Sequence, residues 1–368
     1  MRIVPLFWKG LIRGPSSVLF SSPLDSETVP CRMFLRIEKP GVGMRERIGS
    51  SGPLIIRSVW KIVLLTSMLA FARDIGNDKL TTIMAPGGVI DVFTAPGGGG
   101  TAREDLIGWV NAASKSVATY FGRYPVPHVA VQITTGDGRG VHNGRTFGSP
   151  VALITISVGR KTTLADLKAD WTMTHEMVHL AFPSVAEKHH WIEEGTATYV
   201  EPIARVQSGI LEPSEMWSDF IRDLPQGLPG EGDEGLDRTH TWGRTYWGGA
   251  LFCLLADVKI HQQTHNQKGL EDALRGILAA GGNITKDWPL QRALRVGDEA
   301  TGTRVLENLY EDMKDKPMKV NLTSLWKDLG VQRSPNGDIS FIDDAPLASV
   351  RKSITAGTDS RQAPRTGS

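Results

Sequence analysis

"HEMVHLAFPSVAEKHHWIEEGTATYVE" runs from His175 to Glu201. On a helix, residues four apart lie one above the other, so His175 and His179 face the same way. Two imidazoles at that spacing can share one metal ion. Glu176 is turned from His175 by about a quarter to a third of a turn. It cannot easily bind the same ion, but it reaches a water beside that ion. The H-E-x-x-H pattern thus draws two ligands and a general base from one rigid element. Met173, Met177 and Leu180 form an apolar stripe at i, i+4 and i+7, which predicts that this helix is buried. Two histidines and a glutamate there are costly unless they are paired or hold a metal.

A catalytic zinc needs a third protein ligand and an open fourth position. His189, His190, Glu193 and Glu194 are the candidates, and spacing alone does not choose among them. "WIEEGTATYVE" (191–201) resembles the W-x-x-E-G-x-A-x-Y-x-E segment of the aminopeptidase-N-like gluzincins. That resemblance implies Glu194 as the third ligand of one Zn2+ per chain. Glu201 and Tyr199 also fall on family positions. Glu201 is either a carboxylate that steadies a ligand histidine or an exposed helix glutamate, and Tyr199 reads as core. "RTYWGGALFCLLADVKI" (244–260) resembles the Y-x-K-G-A segment of the same gluzincins and of the glycyl aminopeptidase family. There the tyrosine hydroxyl stabilises an oxyanion, which implies that role for Tyr246. Gly248 stands where the family has lysine, followed by Gly249.

The chain departs from the family in two further places. Fourteen residues separate His179 from Glu194, fewer than in the aminopeptidases. The aminopeptidases also carry a G-x-M-E-N strand whose glutamate binds the substrate's amine. The equivalent "HNGRTFGSPVALITI" (142–156) has no glutamate, although its strand can still pair with an extended peptide. His142, His189, His190, His240 and Arg244 are the remaining polar candidates, each read as a surface or loop residue, with His190 a possible pocket lining.

Across all 368 residues, 41 Lys+Arg balance 40 Asp+Glu, which gives no electrostatic reason to expect nucleic acid or an anionic membrane as partner. Two cysteines, Cys31 and Cys253, exclude a disulfide framework, and Cys253 sits in an apolar helical run as a small core residue. "RSVWKIVLLTSMLAFARD" (57–74) has basic residues, an apolar run and a small-x-small triplet ending at Ala72, the layout of a signal peptide. Met44 is then the expected true start and residues 1–43 a mis-called extension. The mature chain would begin near Arg73, without a stable membrane span, and be exported to the periplasm or the extracellular space; without such a signal it would be cytoplasmic.

Helical spacing is expected over 101–125 and strands over 128–135 and 151–159. "APGGVIDVFTAPGGGG" (85–100) and "GDGRGVHNGRTFGSP" (136–150) read as Gly-rich loops, the second as a lid or a connection. One helix is expected over 162–183 and another over 190–207, then loops over 208–240 and mostly helices from 241. The fold class expected is α+β: a thermolysin-like zinc peptidase catalytic domain. It comprises a strand-containing catalytic lobe (73–235), a helical C-terminal lobe (236–352) and a disordered tail (353–368). The expected function is hydrolysis of peptide bonds in a peptide or protein substrate, with His175, His179 and Glu194 on zinc, Glu176 as base and Tyr246 as oxyanion donor. The alternatives are a zinc hydrolase of another amide or ester, and an inactive metal-bearing protein of the cell envelope. The sequence leaves the oligomeric state open.

Overall fold

The computed structural model describes residues 79–94 and 101–362, which belong to one compact unit. The expected signal segment, Met44 and Cys31 lie outside the described residues. The unit begins with a mixed sheet: β1 (Lys79–Ala85), β2 (Gly88–Thr94), β3 (His128–Gly136), β4 (Val141–Phe147) and β5 (Leu153–Gly159), in the order β1-β2-β3-β5-β4. β2, β3 and β5 run parallel, while β1 and β4 are antiparallel edge strands. Helix α1 (Arg103–Phe121) turns its Trp109, Val110, Val117 and Tyr120 inward, into one core with Ile90, Val131, Ile154 and Ile156 of the central strands. Gly122, with φ at 74°, ends it in the left-handed conformation that glycine adopts freely.

Two stretches expected as loops contain strands. In 85–100, the alternation of Ile90, Val92 and Thr94 toward the core makes β2, although glycine flanks it on both sides. In 136–150, "VHNGRTF" is β4. Its register against β5 shifts between His142 and Arg145, and Asn143 has a positive φ of 54°. This bulge breaks the alternation by which a strand is recognised.

The expected helix over 162–183 is two helices, α2 (Leu164–Ala169) and α3 (Thr172–His179). Thr163 caps α2 in a reciprocal box with Asp166. Asp170 then leaves the helical conformation, and its carboxylate accepts from the Met173 N–H and from Trp109 Nε1, both at 3.1 Å. One residue thereby restarts the chain as α3 and ties it to α1. α3 is buried as its apolar stripe predicts, with Met173, Met177 and Leu180 fully enclosed.

The remainder is largely helical: α4 (His190–Gln207), α5 (Pro213–Asp223), α6 (Gly249–Gln263), α7 (Leu270–Ala279), α8 (Leu290–Thr301), α9 (Val305–Met313), α10 (Leu322–Leu329) and α11 (Ala348–Gln362). A π-helical turn, Arg244–Gly248, leads into α6. α5 replaces part of the loop expected over 208–240; Pro213 opens it, Glu215 caps it, and Met216, Trp217 and Phe220 anchor it in the core. The tail expected to be disordered from residue 353 continues as α11 to Gln362, because Val350 and Ile354 bury one face. α4 and α6 meet at a backbone contact: a Cβ on Gly195 of α4 would overlap the Gly249 carbonyl carbon of α6. Only glycine at both positions lets these helices cross so closely. Among the described residues no helix is long and apolar enough to cross a membrane.

Candidate metal centre

α3 delivers His175, Glu176 and His179, and α4 delivers Glu194. The two imidazoles approach Nε2 to Nε2 at 3.2 Å. Glu194 Oε2 lies 3.3 Å from His175 Nε2 and 3.5 Å from His179 Nε2. These three residues form a group able to hold a metal ion, with all ligand atoms within 4.8 Å of one another. His175 and Glu194 are buried and His179 nearly so. Of the four candidates for the third ligand, Glu194 is the one facing both histidines.

The short gap before Glu194 closes because α3 ends at His179 and a tight turn at Glu187–His189 leads directly into α4. Glu193 Oε1 accepts the Val185 N–H at 3.2 Å and pins this connection back onto α4. His190, half-exposed, donates to both acidic neighbours: Nδ1 is 3.0 Å from Glu193 Oε2 and Nε2 is 3.2 Å from Glu194 Oε1. Glu194 therefore offers one oxygen to the histidine pair and the other to His190. Burial by itself would raise the Glu194 carboxyl. The charge of His179 and the hydrogen bonds from His175, His179 and His190 outweigh it and hold the group well below the usual carboxylate range. His190 is pushed up to about 10, first by its bond to Glu193 and then by Glu194.

Glu176 is buried on the side of α3 that faces β4. Thr146 of β4 donates to Glu176 Oε2 at 2.7 Å, and the Glu176 backbone oxygen lies 2.8 Å from the same hydroxyl. A Cβ on Gly144 would come within 2.6 Å of Glu176 Oε1, so the carboxyl occupies the space that a side chain on the bulge would take. Burial raises the Glu176 carboxyl against the lowering influence of His179, His175 and Thr146.

Tyr246 stands in the π-helical turn. Its ring lies 6.4 Å from that of His175, stacked at 19°. Burial, followed by the charges of Glu194 and Glu176, raises the phenol far above its ordinary value. The Gly195–Gly249 crossing is what brings this turn against α4. The glycines of "EGTAT" and "GGAL" are thus part of the site's construction.

Other residues singled out in the sequence lie elsewhere. Glu201 is buried, and its partner is Arg205, one turn on, at 3.0 Å, rather than a ligand histidine. Tyr199 is core, donating to Asp257 at 2.8 Å. His189 and Trp191 both bond Asp237 Oδ1 at 2.8 Å, and Tyr310 donates to Asp237 Oδ2 at 2.8 Å. Arg244 is buried against Asp233 at 2.7 Å. His142 and His240 are exposed. Cys253 is a buried free thiol in the core, as its apolar surroundings predict. The sequence reading missed Gly144, Thr146 and the role of His190 beside Glu194. Only the "HNG" of the bulge and the four-residue spacing of His190 and Glu194 hint at them.

No protein-family model and no curated protein matches this sequence. Among solved structures, the chain is similar to an aminopeptidase N family protein from Idiomarina loihiensis: 12% identity, covering 70% of this chain and 50% of that one, with a TM-score of 0.51. An M1 zinc metallopeptidase from Deinococcus radiodurans matches at 15% identity over 66% of this chain and 53% of that one, with a TM-score of 0.44. A variant of the Deinococcus enzyme bound to a Tyr-Ser-Ala substrate matches at 14% identity over the same shares, with a TM-score of 0.43. The chain spans about half the length of these structures. The likeness to the Idiomarina protein establishes the fold: a mixed sheet followed by a helical part, as in the aminopeptidase N catalytic domain.

Proposed function

We propose that the chain is a zinc-dependent peptidase. The observation that carries this reading is the convergence of His175, His179 and Glu194, with Glu176 on the same helix as the two histidines and the Tyr246 ring stacked on that of His175. The donor set fits zinc. Two imidazoles and one carboxylate make the three-ligand composition of catalytic sites, which leave a coordination position open. Two imidazole nitrogens 3.2 Å apart repel each other unless a proton or a cation sits between them. A bound zinc ion would supply Lewis-acid polarisation of the scissile carbonyl and a more acidic water.

The chain's own residues supply the rest. Glu176 takes the proton of the attacking water and delivers it to the leaving amine, so one carboxyl serves both halves of the reaction. Thr146 holds Oε2 of that carboxyl and leaves Oε1 beside Gly144 for the transfer. Tyr246, its phenol protonated throughout the neutral range, donates a hydrogen bond to the oxygen on which charge develops. The edge strand β4 offers backbone groups for an extended peptide.

The test is Glu176→Gln. The substitution should leave zinc content and thermal stability near the wild-type values and lower peptide turnover by about 10²–10⁴-fold. Hydrolysis of a peptide library at the wild-type rate by this variant would refute the mechanism.

A further inference from the structure

Trp171, at the N-cap of α3, and Trp242, just before the π-helical turn, each stand four residues before a site residue, His175 and Tyr246. Trp171, His175 and His179 recur at i, i+4 and i+8, so the metal-facing stripe of α3 is preceded at its N-cap by a tryptophan. On the turn leading to α6, Trp242 precedes Tyr246 by four residues. The rings form a connected series. Trp171 meets His175 edge-on at 5.3 Å, His175 stacks with Tyr246 at 6.4 Å, and Tyr246 stacks with Trp242 at 5.6 Å.

Both end members are open to solvent: Trp171 is 39% exposed and Trp242 is 42% exposed. Trp109, Trp191, Trp217, Trp288 and Trp326 are each below 9%. A large aromatic left uncovered forgoes the burial that normally places it inside, so two of them flanking one site mark a surface completed by something else. Their continuity with His175 and Tyr246 identifies that something as the molecule on which those residues act.

We infer that Trp171 and Trp242 form the walls of a subsite that takes a large apolar, preferably aromatic, side chain of the substrate next to the bond being cleaved. This rests on the peptidase reading above. The walls present flat apolar faces, which gain by covering apolar area and give an acidic or very small side chain nothing in return.

Zinc-loaded protein titrated with hydroxamates separates the two levels of the claim, since the hydroxamate group reports the metal and its substituent reports the walls. The probes are acetohydroxamate, isovalerohydroxamate, phenylacetohydroxamate and succinic monohydroxamate. They are measured by calorimetry against wild type, Trp171→Ala, Trp242→Ala, the double variant, and the milder Trp171→Leu and Trp242→Leu, with zinc content as a control. The phenyl compound should bind at least about 10-fold more tightly than acetohydroxamate to wild type. That ratio, taken between the two probes on the same protein, should fall to about 2–3-fold in the double variant, with zinc content retained. A ratio that survives the substitutions, or a preference for the succinic compound, overturns the subsite and leaves the metal site standing. Failure of acetohydroxamate to bind wild type overturns the hydrolase reading, and the subsite with it.

Discussion

His189 and His190 are neighbours in sequence but belong to two different polar clusters, His189 buried in its own and His190 at the open side of the other. His189 joins Trp191 and Tyr310 around Asp237, with three contacts of 2.8 Å on one carboxylate. Every donor there has an acceptor, and the cluster is complete as it stands. His190 leans on Glu194, whose other oxygen faces two imidazole nitrogens that also face each other. That second cluster points two imidazole nitrogens and a carboxylate oxygen at one small space. The first arrangement is what a folded chain uses to tie a helix start to its surroundings. The second is what a chain builds when a cation is to complete it.

The comparison makes opposite demands on substitution. Asp237→Ala strands three donors, from the Glu187–His189 turn, α4 and α9. It should cost about 3–5 kcal/mol of unfolding free energy in denaturant titration while leaving zinc stoichiometry intact. Loss of zinc in a variant that remains folded would erase the distinction between the clusters.

Glu201 offers a second contrast, a buried carboxyl with a cation already beside it. Burial pushes it up to about 7 in spite of Arg205. Its folded pKa lies above the ordinary 4.5, so its contribution to stability is fully present at low pH and is lost as pH rises through about 7. Glu201→Gln should therefore flatten the decline of stability between about pH 5 and 8, by about 2–3 kcal/mol across the window. Parallel stability–pH curves for wild type and variant would show that Glu201 titrates normally.

His190→Ala is the mildest test. Removing the support from Glu194 Oε1 should weaken zinc about 10–100-fold in competition with a chelator, with little change in melting temperature. An unchanged zinc affinity would make His190 a bystander.

The three residues at the heart of the second cluster were legible in the sequence, and the reasons are physical. Helix periodicity placed His175 and His179 on one face, and the buried stripe of Met173, Met177 and Leu180 appears as read. The resemblance of "WIEEG" singled out Glu194, where spacing had left four candidates. What was not legible depends on contacts between distant segments. β4 hides behind a bulge at Asn143 and Gly144, so neither the strand nor the bond from Thr146 to Glu176 could be read from alternation. The break between α2 and α3 turns on Asp170, whose capping role needs Trp109 from another helix. Nor does any local pattern tell that His189 finds Asp237 while His190 finds Glu194, because Asp237 arrives from 48 residues further along the chain.

The central claim is that the second cluster is a metal site, and elemental analysis tests it most directly. Protein expressed from Arg73 and purified without chelator or added metal should carry one zinc per chain. That zinc should disappear in Glu194→Ala and persist in Asp237→Ala. Protein that takes up no zinc even when it is offered would contradict the account, and the His175–Glu194 cluster would then be held together by shared protons alone.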